Sequence, residues 1–322
     1  MRAALCCAFG DLDAITVADL PDPVAGPGEV VARVRAAGVN FADLLMVQGR
    51  YQVKPALPFT PGLEFAGEVV AVGAGVSGFK PGDSVSGAPL MGGCFAEYVA
   101  VPAARVVHVP ADLPLPLAAG ILVGHGTASY ALHFRGRLKP DETVAVSGAG
   151  GGVGTAAIAV AKRMGARVIA AASAAKREVT GEADEFVDYN SEDLTARLKA
   201  LTGGRGVDVA LDLVGGAAFD GMLRAMAPLG RMLVVGFAGG SAPRIPAERA
   251  LIKNLTVEGV GFGGVIGTVP GLGQQVVDRI VALHRAQPFV PVAAQFASLE
   301  EAGAVLGRLV ARTALGKQFV RP

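Results

Sequence analysis

The chain has 322 residues, 52% of them hydrophobic, which is enough to bury the cores of two domains. Its mean hydropathy is +0.47, yet no run of about 18 apolar residues occurs, so we expect no membrane-spanning helix. The 29 basic and 28 acidic residues give a formal net charge of +1 without a block of like charge, which argues against nucleic acid as the main partner.

The cysteines and the N-terminal residues give an expectation of the cellular location. There are three cysteines, Cys6, Cys7 and Cys94, so at least one of them cannot form a disulfide within the chain, and they form no Cys-x-x-Cys metal motif. The first residues lack an apolar core followed by a small-residue cleavage site. We therefore expect a reducing, cytoplasmic location.

The first third of the chain is predicted to be rich in β-structure. Val30–Ala36 and Glu68–Val72 have the length and apolar pattern of strands, and Gly93–Val101 is predicted as a further edge strand. Glycine and proline pairs such as Pro27-Gly28 are typical of tight turns between such strands.

From residue 141 onward, strands are predicted to alternate with helices. Six largely apolar segments have the length of strands: Thr143–Ser147, Arg167–Ala172, Glu185–Asp188, Val207–Asp212, Arg231–Val235 and Leu255–Val260. Helices are predicted at Thr155–Met164, Leu194–Leu201, Phe219–Met226 and Gln274–Arg285, and a final strand at Gln318–Arg321. Apolar strands joined by helical crossovers predict a parallel sheet covered on both faces, as in the doubly wound dinucleotide-binding fold.

The loop after the first of these strands is predicted to hold phosphate. Its sequence, Ser147-Gly-Ala-Gly-Gly-Gly-Val-Gly154, fits an A-x-G-x-x-G register. Gly151 would let the backbone approach a pyrophosphate, and Gly154 would let the helix pack closely against the strand. A plain flexible turn is the alternative, but the strand before the loop and the helix after it favour dinucleotide binding.

The end of the second strand bears on which dinucleotide is bound. NAD sites usually place Asp or Glu there to bond the ribose 2′-hydroxyl. Here the strand ends in Ala170-Ala-Ala-Ser173, and Lys176 and Arg177 follow within a turn. A hydroxyl and two cations suit a 2′-phosphate, so NADPH is predicted; an ordinary solvated pair of cations is the alternative.

Further stretches complete a family pattern. They are Ala37-Gly-Val-Asn-Phe-Ala-Asp-Leu-Leu45, Gly49-Arg-Tyr51, Pro58–Gly67, Phe79–Asp83, Gly126–Ala128, Leu201–Asp208 and Gly230–Phe237. Together with the glycine-rich loop, they resemble the zinc-independent NADPH:quinone oxidoreductases of the medium-chain dehydrogenase/reductase superfamily. The resemblance covers essentially the whole chain.

The resemblance implies an α/β architecture of two domains. A GroES-like β-barrel catalytic domain would comprise residues 1–123 and 265–322, and a Rossmann domain with a doubly wound parallel sheet would comprise residues 124–264. The active site would lie in the cleft between them. Family members commonly pair through the edge of the nucleotide-domain sheet, so a homodimer with Leu255–Val260 at its interface is expected.

The resemblance also implies candidate site residues. The catalytic candidates are Tyr51, at an aromatic position of the substrate pocket, and Asn40, near the nicotinamide. The cofactor candidates are Asn40 and Thr127 at the nicotinamide, Gly151, Gly152 and Val153 at the pyrophosphate, Ser173, Lys176 and Tyr189 at the 2′-phosphate, Gly236, Phe237, Gly261, Phe262 and Gly263 at the nicotinamide and ribose, and Lys317 at a basic position near the cofactor. For Tyr51 the alternative is packing against the barrel, and for Tyr189 a half-buried strand end.

One departure from the family pattern concerns the 2′-phosphate. Lys176 is followed quickly by Gly181-Glu-Ala-Asp184, whereas family members have a longer helix before this turn. Whether Lys176 or Arg177 contacts the phosphate is therefore left open by the sequence.

The sequence predicts no metal site. Zinc-dependent relatives bind catalytic zinc through a Gly-His-Glu segment, and here Leu63 replaces the histidine between Gly62 and Glu64. Catalytic zinc generally needs three protein ligands. The histidines show no ligand spacing: they are His108, His125, His133 and His284. Cys94 is predicted as a small core residue and Glu64 as a structural carboxylate.

Without zinc to polarise a simple ketone, the hydride acceptor must already be electron-poor. An NADPH-dependent quinone reductase is the first hypothesis. An enone or enoyl-thioester reductase is the second, with Arg50 and Lys54 available to a CoA group. A non-catalytic NADPH-binding or RNA-binding protein is the third, against which the near-neutral charge and the lack of aromatic–basic tracts speak.

Overall fold

The computed structural model describes residues 1–289 and 294–322. The chain divides into two compact units, each with its own main sheet. The first unit contains Met1–Val123, Gly263–Asp278 and the described residues from 294 to the C-terminus, and the second contains Gly124–Phe262 and residues 279–289.

The regular elements are numbered in chain order. The strands are β1 Arg2–Cys6, β2 Ile15–Asp19, β3 Glu29–Val39, β4 Phe65–Val72, β5 Ser84–Gly87, β6 Tyr98–Pro102, β7 Val106–His108, β8 Thr143–Ser147, β9 Arg167–Ala172, β10 Glu185–Asp188, β11 Val207–Asp212, β12 Met226–Val234, β13 Thr256–Gly259, β14 Gln295–Ala297 and β15 Gln318–Val320. The helices are α1 Phe41–Val47, α2 Leu115–Ala119, α3 Thr127–Ser129, α4 Gly152–Arg163, α5 Leu194–Leu201, α6 Gly216–Arg224, α7 Ala247–Lys253, α8 Phe262–Val265, α9 Leu272–Ala286 and α10 Ala302–Val310. Short 3₁₀ turns lie at Ala103–Arg105, Ala174–Lys176 and Glu178–Thr180, and π-helical turns at Ile121–Gly126 and Tyr130–Arg135.

The first unit is organised around the long strand β3. Its main sheet runs in the order β14-β15-β3-β4-β5-β7, and β6 also pairs with β3. In the middle of β3 the side chains alternate, so that Ala32 and Val34 enter the core while Arg33 and Arg35 are exposed. A separate antiparallel pair, β1 and β2, opens the chain.

The second unit contains a six-stranded sheet in the order β10-β9-β8-β11-β12-β13. All neighbouring strands in it are parallel. In sequence order this is the 3-2-1-4-5-6 arrangement of the doubly wound dinucleotide-binding fold. Every residue of β8 is buried, as expected for a strand covered on both faces. The predicted doubly wound parallel sheet is thereby confirmed.

Strand β12 begins earlier than predicted. It starts at Met226 rather than Arg231, and α6 ends at Arg224. Pro228 and Gly230 interrupt the apolar pattern, which is why the sequence hides the first half of the strand. The register with β11 shifts within this segment, and Leu229 takes a φ of +63°, so the strand accommodates an irregularity there.

The helices of the described residues are of modest length. The 15-residue α9 ends at Ala286 and carries the basic residues His284 and Arg285 in its last turn. No helix in residues 1–289 or 294–322 is both long and apolar enough to cross a membrane.

Candidate active site

The glycine-rich loop joins β8 to α4 at the carboxyl end of the parallel sheet. Gly148 has a φ of +62°, which turns the chain out of the strand at little cost only for glycine. Gly151 is the N-cap of α4 and has no side chain to cap it, so the N–H groups of the first helical turn are left for an anion. A Cβ on Gly154 would lie 2.3 Å from the carbonyl oxygen of Gly148, so the helix can cross the loop only at a glycine.

A buried hydrogen bond ties β8 to β11 beside this loop. Ser147 Oγ donates to Asp212 Oδ1 at 2.6 Å, and both side chains are fully buried. The backbone N–H groups of Val214 and Gly215 also donate to this carboxylate. Burial raises the pKa of Asp212 although these hydrogen bonds oppose it. Strand order reverses between β8 and β11, the switch point at which such sheets bind their ligands.

The segment after β9 brings one of its two cations to the loop. Ser173 is the N-cap of the 3₁₀ turn that ends at Lys176. A Cβ built on Gly150 would lie 2.5 Å from Cβ and 2.9 Å from Cγ of Lys176, so the stem of this lysine lies against the loop. Arg177 instead lies over the ring of Phe186, with its guanidinium carbon 4.4 Å from the ring centroid.

The end of β10 adds a carboxylate to the same region. Asp188 accepts hydrogen bonds from the Ser191 hydroxyl at 2.8 Å and the Asn190 N–H at 3.1 Å, and these lower its pKa. The backbone of Ala174 also hydrogen-bonds to it. Tyr189 is partly buried against the core of the second unit. Asp188 is not among the residues selected from the sequence, whereas its neighbour Tyr189 is.

Two further predicted residues follow β12. The N–H of Gly236 donates to the carbonyl oxygen of Asp212 at 3.3 Å, which places Gly236 at the switch point. Phe237 is 45% exposed, so its ring is open to a ligand. Thr127 opens α3, whose other residues are buried.

The three predicted residues at the start of α8, Gly261, Phe262 and Gly263, differ in how accessible they are to a ligand. Phe262 is only 3% exposed, and its ring centroid lies 5.3 Å from that of Tyr130, so the ring is packed against an aromatic neighbour. A Cβ built on Gly261 or Gly263 would meet no atom of the described residues within 4 Å. The backbone at these two glycines is therefore open to close approach.

The first unit contains a buried cluster of charged and amide groups. Lys317 Nζ donates to Asn40 Oδ1 at 2.6 Å and to Glu64 Oε1 at 2.5 Å. Asn40 Nδ2 donates to Glu64 Oε1 at 3.1 Å, and the N–H of Val123 donates to Glu64 Oε2 at 2.8 Å. Glu64 is 1% exposed, so its negative charge is balanced inside the protein by the ammonium group. Glu64 thus fixes two predicted site residues, Asn40 and Lys317.

A second carboxyl lies beside this cluster. Asp43 is fully buried; its Oδ2 accepts the N–H of Asn40 at 2.7 Å, and its Oδ1 has no hydrogen-bond partner among the described residues. Burial raises the pKa of Asp43 to about 7. Tyr51 is partly buried against the core of the unit, and burial, with a contribution from Asp43, raises the pKa of its hydroxyl.

Known proteins match both parts of the chain. A family model described as "Alcohol dehydrogenase GroES-like domain" matches residues 26–111, and one described as "Zinc-binding dehydrogenase" matches residues 152–279. The mouse quinone oxidoreductase-like protein 2 is 40% identical over 266 residues, covering 81% of this chain and 75% of that protein. The chain belongs to the quinone oxidoreductase family of the medium-chain dehydrogenase/reductases.

Solved structures of this oxidoreductase family agree with the fold. The quinone oxidoreductase of Escherichia coli, complexed with NADPH, has a TM-score of 0.91 and 27% identity over the full length of both chains. A mycobacterial structure complexed with NADPH has a TM-score of 0.90 and 29% identity, again over the full length of both.

The described residues offer no evident set of metal ligands. Leu63 has an aliphatic side chain and is 8% exposed, and Cys94 is fully buried in the core. No group of three or more His, Cys, Asp or Glu side chains in residues 1–289 and 294–322 is placed to hold a metal ion. Burial raises the pKa of the Cys94 thiol well above its ordinary value, which disfavours the thiolate that would bind zinc.

Proposed function

We propose that this protein is an NADPH-dependent oxidoreductase that transfers a hydride to a quinone or a related electron-poor carbonyl, without a catalytic zinc ion. The observation that carries the proposal is the position of Lys176, whose side chain lies against Gly150 of the glycine-rich loop. A cation at this loop, with Ser173 rather than an acid after β9, suits the 2′-phosphate of NADPH. The family relationship, and the NADPH present in two structural neighbours, support it.

The residues of the second unit fit a dinucleotide. The uncapped N-terminus of α4 offers the N–H groups of Gly152 and Val153 to a pyrophosphate, and Gly151 leaves room for it. Ser173 and Lys176 are proposed to bind the 2′-phosphate, with Tyr189 beside them. NADPH supplies the hydride when bound. The further proposed contacts at the nicotinamide and ribose are Thr127, Gly236, Phe237, Gly261, Phe262 and Gly263.

The residues of the first unit are proposed to orient the reacting groups. Glu64 holds the Lys317 ammonium and the Asn40 amide in fixed directions. The Asn40 amide nitrogen already donates to Glu64 and to the carbonyl oxygen of Gly38. Asn40 is therefore proposed to act through its Oδ1 and by holding Lys317, whose ammonium is proposed to bind polar atoms of the cofactor or acceptor. Tyr51 is proposed to form an apolar wall for a planar acceptor. Its raised pKa keeps the hydroxyl protonated at neutral pH.

The proposal of a zinc-free reaction rests on the donor atoms of this chain. Leu63 has no atom that binds a metal at the position where zinc-dependent relatives have histidine. A reaction without Lewis-acid assistance favours acceptors that are already electron-poor, which include quinones and enones.

The domain organisation and assembly are proposals of the same kind. We propose that residues 1–123 and 265–322 form the GroES-like catalytic domain and residues 124–264 the Rossmann domain, although residues 279–289, which include the second half of α9, lie in the second unit of the structure. Strand β13 ends the sheet at an edge, and Leu251 and Ile252 of α7 are each 76% exposed, which supports a homodimer formed at this side. A cytoplasmic location stays a prediction.

The test measures cofactor binding and turnover separately. NADPH and NADH are titrated by fluorescence, and NADPH oxidation is then followed with quinones, enones and enoyl-CoA thioesters. We expect tighter binding of NADPH, and the highest kcat/KM with a quinone. Replacing Lys176 and Arg177 together by Ala should weaken NADPH much more than NADH.

A matched pair of variants tests the loop. Gly151→Asp places a negative charge at the proposed pyrophosphate site, whereas Ala217→Asp adds the same charge at an exposed position of α6. Loss of NADPH binding in the first variant alone is expected. Faster turnover of enoyl-CoA than of any quinone would favour an enoyl-thioester reductase, and binding without turnover of any acceptor would favour a non-catalytic role.

A further inference from the structure

Gly150 differs from the other glycines of the loop in what surrounds it. Its φ lies outside the left-handed region, so the backbone itself would accept alanine. The three atoms closest to a Cβ built there all belong to Lys176: Cβ at 2.5 Å, Cγ at 2.9 Å and Cδ at 3.2 Å. The stem of Lys176 therefore occupies the space that a side chain at position 150 would fill.

The neighbouring glycines have other reasons to be glycine. Gly154 faces backbone atoms of Gly148 and Ala149 at 2.3 and 2.7 Å, so a side chain there would collide with the loop itself. Gly151 would place its Cβ 3.4 Å from the carbonyl oxygen of Gly148, an ordinary contact. Of these three, only Gly150 touches a side chain that carries a charge.

The segment after β9 is short, and it brings Lys176 into contact with Gly150. Lys176 ends a single 3₁₀ turn, and Arg177 is directed to the ring of Phe186. The lysine stem is half-buried against the loop, and burial lowers the pKa of its ammonium group; a phosphate beside that group would oppose this lowering. The stem of Lys176 therefore packs against Gly150 at the end of a three-residue turn, without a long helix to position it.

We propose that Gly150 is a specificity-determining residue, because its lack of a side chain seats Lys176 across the loop and thereby directs the ammonium group to the 2′-phosphate of NADPH. This inference rests on the proposed use of NADPH. It assigns to Gly150 a role in choosing between NADPH and NADH, distinct from the general role of the loop in binding a pyrophosphate common to both.

The experiment is a double-mutant cycle on dissociation constants. The dissociation constants of NADPH and NADH are measured by fluorescence titration for the unmodified protein, Gly150→Ala, Lys176→Ala and the double variant. We expect Gly150→Ala to lower the preference for NADPH by roughly tenfold, the size of a lost charge-assisted hydrogen bond. Lys176→Ala should do the same, and in its background Gly150→Ala should change the preference no further.

Two controls separate this role from damage to the loop. Gly151→Ala adds a methyl group at the proposed pyrophosphate site without touching Lys176, so it should affect NADPH and NADH alike and leave the ratio of their dissociation constants unchanged. Lys176→Met keeps the stem and removes the charge, so it should lose the preference even though Gly150 and the fold are intact.

The outcomes distinguish the two proposals. Equal affinity of the unmodified protein for NADPH and NADH overturns both. A clear preference for NADPH that Gly150→Ala leaves intact, or an equal weakening of both dinucleotides, overturns only the role of Gly150. Independent, additive effects of the two substitutions on the preference would also contradict it, because Gly150 would then not act through Lys176.

Discussion

The buried carboxyl of Asp43 makes the stability of the protein depend on pH in a defined direction. Its pKa rises from 3.8 to about 7 because burial disfavours the carboxylate. Glu64 adds to this rise, whereas Lys317 opposes it. The native state therefore keeps a proton that the unfolded chain releases near pH 3.8. This stabilising contribution is fully present below pH 3.8 and is lost as pH rises through 7.

The size of the effect follows from the two pKa values. The rise from 3.8 to about 7 corresponds to about 4 kcal/mol of unfolding free energy, lost at up to ~1.4 kcal/mol per pH unit. Asp43→Asn keeps an oxygen for the N–H of Asn40 but cannot ionise. The variant should therefore gain about 3 kcal/mol relative to the unmodified protein between pH 5 and pH 8.

Urea unfolding followed by circular dichroism at pH 5, 6, 7 and 8 measures this difference. Asp112→Asn, at an exposed position of the same unit, is the control and should show no such trend. The groups that face Asp43 also include Tyr51 and Cys94, whose pKa values are raised, so both remain protonated over this range. A stability difference between Asp43→Asn and the unmodified protein that is constant from pH 5 to 8 would refute the argument.

Three further predictions concern the metal, the pocket and the loop. Because Leu63 offers no ligand atom, metal analysis of the purified protein should find no stoichiometric zinc, and chelators should leave turnover unchanged; about one tightly bound zinc per chain would contradict this. Tyr51→Ala should lower kcat/KM for quinones while the dissociation constant of NADPH stays within a few-fold; a lower melting temperature with unchanged turnover would mean that Tyr51 only packs the barrel. Gly154→Ala should cost about 1–3 kcal/mol in urea unfolding because its Cβ would collide with the loop backbone, whereas Gly124→Ala, whose nearest contact is 3.7 Å, should be nearly neutral.

The parallel sheet could be predicted because its signals are local. Strands such as β8 and β9 are largely apolar segments of strand length, and the glycine-rich loop lies between a strand and a helix that each carry their own pattern. The strand β12 was predicted only in part, since the interruption at Pro228 and Gly230 conceals a segment that pairs through an irregular register.

The charged cluster of the first unit could not be assembled from the sequence. Lys317 is 277 residues from Asn40 and 253 from Glu64, and their contact depends on the register in which β15 pairs with β3. That register places Gln318 opposite Val39, next to Asn40, and no local pattern encodes it. Likewise, the sequence offers Lys176 and Arg177 as equals, and only the turn after β9 directs one to the loop and the other to Phe186.

The hydrogen bond between Ser147 and Asp212 has a consequence for how the family can vary. The two side chains are hydrogen-bond partners in a fully buried position, and the N–H of Leu213 also donates to the Ser147 hydroxyl. Loss of Asp212 would leave the Ser147 hydroxyl and the N–H groups of Val214 and Gly215 without an acceptor. Loss of Ser147 would remove the acceptor of the Leu213 N–H, so a change at either position is costly. The two positions, 65 residues apart, should therefore both resist substitution among related sequences, because together they also hold the backbone at Leu213, Val214 and Gly215.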